Sequence, residues 1–258
     1  MNNNYKELNI QKSLYRGCGE SFAERLEKMD PTENYRGTEL GHLDAFQRQL
    51  KRFDIQVGGS HSSALEKFFQ NGQSAVLFPE YLMRAIRQGM EENDPLSSIV
   101  AARTLISATD YRGLTTNDDL EADVTNEAAA LSTTTISLKD KTTALKKRGR
   151  MLRASYEAIK FQRLDLFTVA LKQIGACIGK AQLQDAVDVL INGDGNNNPA
   201  GKVDLATKDT LTYADLLNLW NSFGEYQMNV MLASPDMMLK LLQVKDVSDA
   251  QTELNFPA

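Results

Sequence analysis

Residues able to do chemistry are few in this chain, and their spacing builds no reactive group. Two cysteines occur, Cys18 and Cys177, and neither has a Cys or His at the spacing a zinc site or a disulfide scaffold requires. Cys18 lies in Arg-Gly-Cys-Gly-Glu, where Arg16 could favour a thiolate, but one basic neighbour in a polar stretch does not make a reactive thiol. His42 and His61 stand alone in polar stretches, and no nucleophile elbow accompanies them, so both are expected at the surface. Glu91-Glu92 and Asp118-Asp119 are adjacent acids whose side chains diverge on a helix or alternate on a strand, which makes them poor acid–base partners.

The loop that begins at Asp194 invites a calcium reading. An EF-hand counted from Asp194 needs Gly at its sixth position and Glu at its twelfth, where this chain has Pro199 and Leu205. The loop therefore reads as a turn built on glycine and asparagine. There is no phosphate-binding loop, dinucleotide fingerprint or zinc-protease helix. The expectation is a protein that is not an enzyme, with no catalytic, cofactor-binding or metal-ligating residue.

Composition is that of a folded protein: 42% hydrophobic and 24% charged residues over 258 positions, enough for one or two domains with a core. With 29 basic against 34 acidic residues the net charge is −5, which does not suit a coat held to nucleic acid by bulk positive charge. The start, MNNNYKELNIQKSL, lacks the basic and apolar regions of a signal peptide. The most apolar long stretch, 164–191, is interrupted by Lys172, Lys180, Asp185 and Asp188, so no membrane span is expected.

Several elements must position whatever the chain does. Residues 1–73 are polar and weakly patterned, with short helices expected at Phe22–Met29, 43–53 and 63–69 between glycines, and they read as an arm and not a core. Residues 74–78 read as a short strand, followed by a helix that opens on Pro79 and runs to about Met90. Residues 99–106 are rich in apolar and β-branched types and read as a strand, with a helix as the alternative.

Charge then changes sign along the chain. Positions 91–127 hold nine acidic residues against Arg103 and Arg112; positions 138–163 hold nine basic residues against Asp140 and Glu157. The two blocks are oppositely charged and could attract each other. Alternation at 133–138, and more loosely at 151–159, suggests two antiparallel arms around a basic tip at 146–149. No aromatic interleaves these cations before Tyr156, so the stacking component of nucleic-acid binding is missing.

The strongest pattern is helical. Leu164, Phe167, Leu171, Ile174, Ile178, Ala181, Val187 and Leu190 recur at helical spacing, giving a rod of roughly 42 Å at about 1.5 Å per residue. It should stop at Asn192-Gly193-Asp194-Gly195. Beyond lie a helix at 213–222, a strand at 226–233, and a helix capped by Ser234 with Pro235 at its first position.

In this order the phrases AVLFPEYLMRAIRQGME, LINGDGNNNPAG and VMLASPDMMLKLLQVKD resemble the major capsid proteins of tailed bacteriophages, over roughly residues 74–258. The resemblance implies an α+β chain with the Hong Kong 97-type capsid fold. It would comprise an N-terminal arm (1–73), the start of a peripheral domain (74–123), an extended E-loop hairpin (124–160), the peripheral spine helix with its loop (161–200) and part of an axial domain (201–258). Chains of that family usually continue past the equivalent of Lys245-Asp246, so an end at Ala258 implies a truncated product or a shortened relative.

The function implied is self-assembly into pentamers and hexamers that close as an icosahedral shell around packaged DNA, which is touched only non-specifically. The subunit would be made in the host cytoplasm and reside in the virion, and no membrane is involved. A scaffolding protein, a maturation protease and a portal are the further partners implied. Candidate contacts to a neighbouring subunit are Lys139, Lys141, Lys146, Lys147, Arg148, Arg150 and Arg153, because such loops lie across the adjacent subunit. Two alternatives stay open: an encapsulin-like compartment, which would need a cargo-peptide pocket, and a non-catalytic helical binding or regulatory protein.

Overall fold

The computed structural model describes residues 5–16, 19–92, 94–104, 106, 108–116, 124–127, 131, 133–208, 210–224, 226–244 and 247. Cys18, Asp118-Asp119 and Lys245-Asp246 lie outside them. The chain divides into two units: residues 1–94 with 146–185, and residues 95–145 with 186–258.

In the first unit, helix ends are set by local side-chain chemistry. Helix α1 (Phe22–Met29) and helix α2 (Ala45–Arg52) each open with a capping box, Ser21 with Glu24 and Asp44 with Gln47, so backbone N–H groups without a helical partner are satisfied at once. Phe22 and Leu26 bury one face of α1, and Ala45, Phe46 and Leu50 one face of α2. A short 3-10 turn, Leu65–Phe69, sends Leu65 and Phe68 inward.

Helix α3 (Gly72–Glu91) is capped by Asn71 and includes Pro79 in its interior. The expected strand at 74–78 is absent. Buried Ser74, Leu77, Tyr81 and Ala85 recur at steps of three and four, so one helical face carries the whole stretch inward. Pro79 sits on the exposed side, where water can reach the carbonyl its missing N–H leaves free.

Helix α4 (Tyr156–Phe161) leads into helix α5 (Leu164–Asn192), which matches the expected spine to within a residue. Residues 63–65 pair with 162–164: the Leu65 amide donates to the Gln162 carbonyl at 2.8 Å and the Leu164 amide to Ser63 at 2.9 Å. Helices α3 and α5 approach to backbone contact. A Cβ at Gly89 would strike the Lys172 backbone and one at Gly175 the Ile86 carbonyl, so only glycine allows this spacing. Tyr81 locks the crossing, donating to the Leu164 carbonyl at 3.1 Å with Thr168 Oγ1 at 2.7 Å.

The core of this unit joins Ile10, Phe22, Leu26, Phe46, Leu50, Leu65, Phe68, Leu77, Leu164 and Leu171. At about 1.5–3 kcal/mol for each large apolar side chain buried, these contacts dominate its stability. Residues 5–73 thus supply much of a core, and their expected role as an arm outside the core does not describe this packing. Short helices with two or three inward residues each carry too weak a period to stand out in sequence.

The second unit holds two small antiparallel ladders. Strand β1 (Asp110–Tyr111) pairs with β4 (Thr143–Ala144), and β2 (Leu114–Thr116) with β3 (Ile136–Leu138), in the register Leu114↔Leu138 and Thr116↔Ile136. The partner of the 133–138 stretch therefore lies upstream. Residues 151–155 are irregular and 156–161 are helical, so the expected second arm and its basic tip are corrected. Leu and Ile facing Leu and Thr across β2–β3 give cross-strand pairs that Met151–Ile159 cannot supply once Ser155 caps a helix.

The expected strand at 99–106 is not formed in its described residues, which follow a 3-10 turn, Pro95–Ser98, without ladder bonds. Residues 226–233 likewise form no ladder. Helix α6 (Tyr213–Asn221) opens with a Thr212–Asp215 capping box. Helix α7 (Pro235–Gln243) has Ser234 as N-cap and Pro235 in its first turn.

Candidate interaction surface

Among the described residues, those that could have done chemistry are not brought together. His42 and His61 are exposed, and Cys177 is a free, exposed thiol on α5. Among the described residues no group of His, Cys, Asp or Glu could hold a metal ion, and no helix is long and apolar enough to cross a membrane. Asp194 turns its carboxylate onto its own loop.

That loop is a folded feature in its own right. Gly193, with φ of +80°, closes α5 by donating to the Val189 carbonyl at 2.8 Å, and Asp194 Oδ1 accepts the Asn196 amide and side chain at 3.0 Å each. Lys139 Nζ reaches Asp194 Oδ2 at 3.2 Å, and the Lys141 amide donates to Asn196 Oδ1 at 3.1 Å. Hydrogen bonding from the Asn196 side chain first, and Lys139 after it, hold the Asp194 carboxyl down to about 2. The loop thereby anchors the segment between β3 and β4.

The seven candidate cations fall into two sets. Lys139, Lys146 and Arg148 are engaged within their own units: Lys146 meets Asp185 at 3.1 Å, and Arg148 grips the same carboxylate through Nε at 2.6 Å and a terminal nitrogen at 2.7 Å. The two-pronged Arg148 contact, with Lys146 beside it, holds the Asp185 carboxyl down to about 2. Lys141, Lys147, Arg150 and Arg153 are exposed and make no ion pair among the described residues. Asp185 and Asp194 were not singled out as contacts in sequence, where Asp185 registers only as an interruption of an apolar helix. Its partners lie 37 and 39 positions away, and no local pattern signals them. These pairs of the basic block reach acids of α5 and its loop, outside the 91–127 block whose opposite charge could also have attracted them.

Apolar residues complete the surface. In the second unit Leu114 is 63% exposed, Ile136 66%, Trp220 63% and Tyr226 82%, and α7 leaves Met237, Met238, Leu239 and Leu242 in solvent. Among its described residues only Asp215 and Val244 are buried. An apolar cavity of about 230 Å³ lies between α6 and α7, lined by Leu211, Leu216, Leu219, Met231, Met237 and Leu241. Large apolar side chains exposed in such number are uncommon on a protein that acts alone and mark a contact region.

Residues 138–257, a little under half of the chain, match the family model described as phage capsid protein. No curated protein matches, and no solved structure matches. The match supports a capsid role for the chain, with a place in the virion and association with further copies. It takes in the basic stretch, α5, the Asp194 loop, α6 and α7, while the phrase at 75–91 precedes it.

Proposed function

We propose that this chain is the major capsid protein of a tailed phage, a Hong Kong 97-type subunit that assembles as pentamers and hexamers into an icosahedral shell around packaged DNA. It makes and breaks no bonds; its work is binding to copies of itself. The observation that carries this reading is the apolar surface of α6, α7 and the β2–β3 ladder, left in water by the subunit's own fold. Burial of such surface against a neighbour drives association at about 25 cal/mol per Å² of apolar area, before the cost of docking is subtracted. Exposed Lys147, Arg150 and Arg153 add charge that sets register more than affinity.

Negative-stain electron microscopy of the purified protein, combined with sedimentation velocity over a concentration series, tests the reading. Ring-shaped capsomers or closed shells are expected. Monomers persisting to the limit of solubility would overturn it.

A further inference from the structure

Helix α3 has a gap in its hydrogen-bond ladder, and a side chain from far along the chain stands next to it. Pro79 has no N–H, so the Ala75 carbonyl lacks the donor that an uninterrupted helix places four residues on. The next step of the ladder joins the Val76 carbonyl and the Glu80 amide. Tyr15 meets both groups: its hydroxyl donates to the Val76 carbonyl at 2.8 Å and accepts the Glu80 N–H at 3.1 Å. The hydroxyl thus stands in the ladder at the step beside the proline.

Tyr15 is itself held from α1. Its ring stacks on Phe22 with 4.4 Å between centroids and 9° between planes, and Arg25 Nη1 donates to the carbonyls on either side of it, Leu14 at 3.3 Å and Arg16 at 2.5 Å. Earlier in the segment, Gln49 and Arg52 of α2 donate to the Tyr5 and Leu8 carbonyls, and Ile10 is buried in the core. Burial pushes the ionisation of the phenol up, so it stays protonated and able to donate. One residue beyond Glu80, Tyr81 binds α3 to α5 through Leu164 and Thr168. Consecutive residues of α3 are gripped from two sides, by the N-terminal segment at 80 and by α5 at 81. We propose that Tyr15 is a positioning residue for α3: its hydroxyl supports the step that Pro79 weakens, so the seating of residues 5–16 sets how firmly α3 holds at 76–80, beside its attachment to α5. Val76, Leu77 and Tyr81 stay packed in the core; what Tyr15 governs is the local opening of backbone bonds, and it does so within one subunit whether or not shells form.

Hydrogen–deuterium exchange of the full chain, read residue by residue by mass spectrometry with electron-transfer fragmentation, tests it in free subunits and assemblies alike. Tyr15→Phe keeps the ring on Phe22 and removes only the hydroxyl; exchange of the Glu80 amide should rise roughly fivefold to tenfold, as for the loss of one hydrogen bond, while the amides of 175–178 in α5 keep their rates. Pro79→Ala restores the missing N–H, so the Val76–Glu80 step no longer leans on the phenol. In that background Tyr15→Phe should change Glu80 exchange by less than about twofold. Equal Glu80 exchange in the native chain and Tyr15→Phe, an effect undiminished by Pro79→Ala, or a rise shared by 175–178 would overturn the proposal.

Discussion

The unit built from residues 1–94 and 146–185 buries a joined cluster of large apolar side chains, though Phe161 and Leu166 among others stay exposed, whereas the unit built from 95–145 and 186–258 leaves most of its own in solvent. The first has Leu26, Phe68, Leu77 and Leu164 at zero exposure and a cluster joining four helices and a 3-10 turn. The second has two short ladders and two capped helices, with Val244 as its buried apolar residue among those described. Apolar content does not separate the two, since Leu, Met, Val and aromatic residues are common in both. The difference lies in whether the subunit's own elements cover them. A region that folds locally but leaves its apolar faces uncovered is built for contact, and the family match falls largely on that side.

The comparison breaks hardest at Arg48. Its fully buried guanidinium donates to Asp30 Oδ2 at 2.7 Å, to the Asp30 and Leu43 carbonyls at 2.5 Å each, and stacks 4.4 Å from the Tyr35 ring, while Tyr35 Oη donates to Asp30 Oδ1 at 2.7 Å. Arg48→Met leaves Asp30 buried without its counter-charge and should cost about 3–5 kcal/mol in urea unfolding. Gly175→Ala comes next: its Cβ meets the Ile86 carbonyl, a backbone atom that cannot rotate away, so α3 and α5 must separate. A loss of about 1–3 kcal/mol is expected by the same measurement.

The smallest effect on folding is expected in the second unit. Trp220→Ser with Leu239→Ser removes two side chains already in water and should change unfolding by no more than about 0.5 kcal/mol. The same variant should weaken self-association strongly in sedimentation velocity. A large loss of stability with unchanged association would reverse the assignment of core and contact surface.

Much of the helical framework was legible in the residues. The span of α5, the Ser234–Pro235 start of α7 and the extent of α1 follow from a 3.6-residue period and from caps acting within three positions of the helix end. The loop after α5 was legible as a turn because Gly193 and Gly195 supply the positive φ it uses. Pro79 misled, since a proline on the solvent side of a helix costs less than its usual role as a first-turn residue suggests.

By itself the sequence determined the extents of α1 and α5, the start of α7 and the sign of each charged block, because these depend on neighbours a few positions away. Only the tertiary structure decided that residues 5–73 build a core, that 114–116 and not 151–159 pairs with 136–138, and that Arg148 and Lys146 close on Asp185. Those contacts join residues tens of positions apart. Their partners are chosen by packing and register, and no period along the chain records that choice.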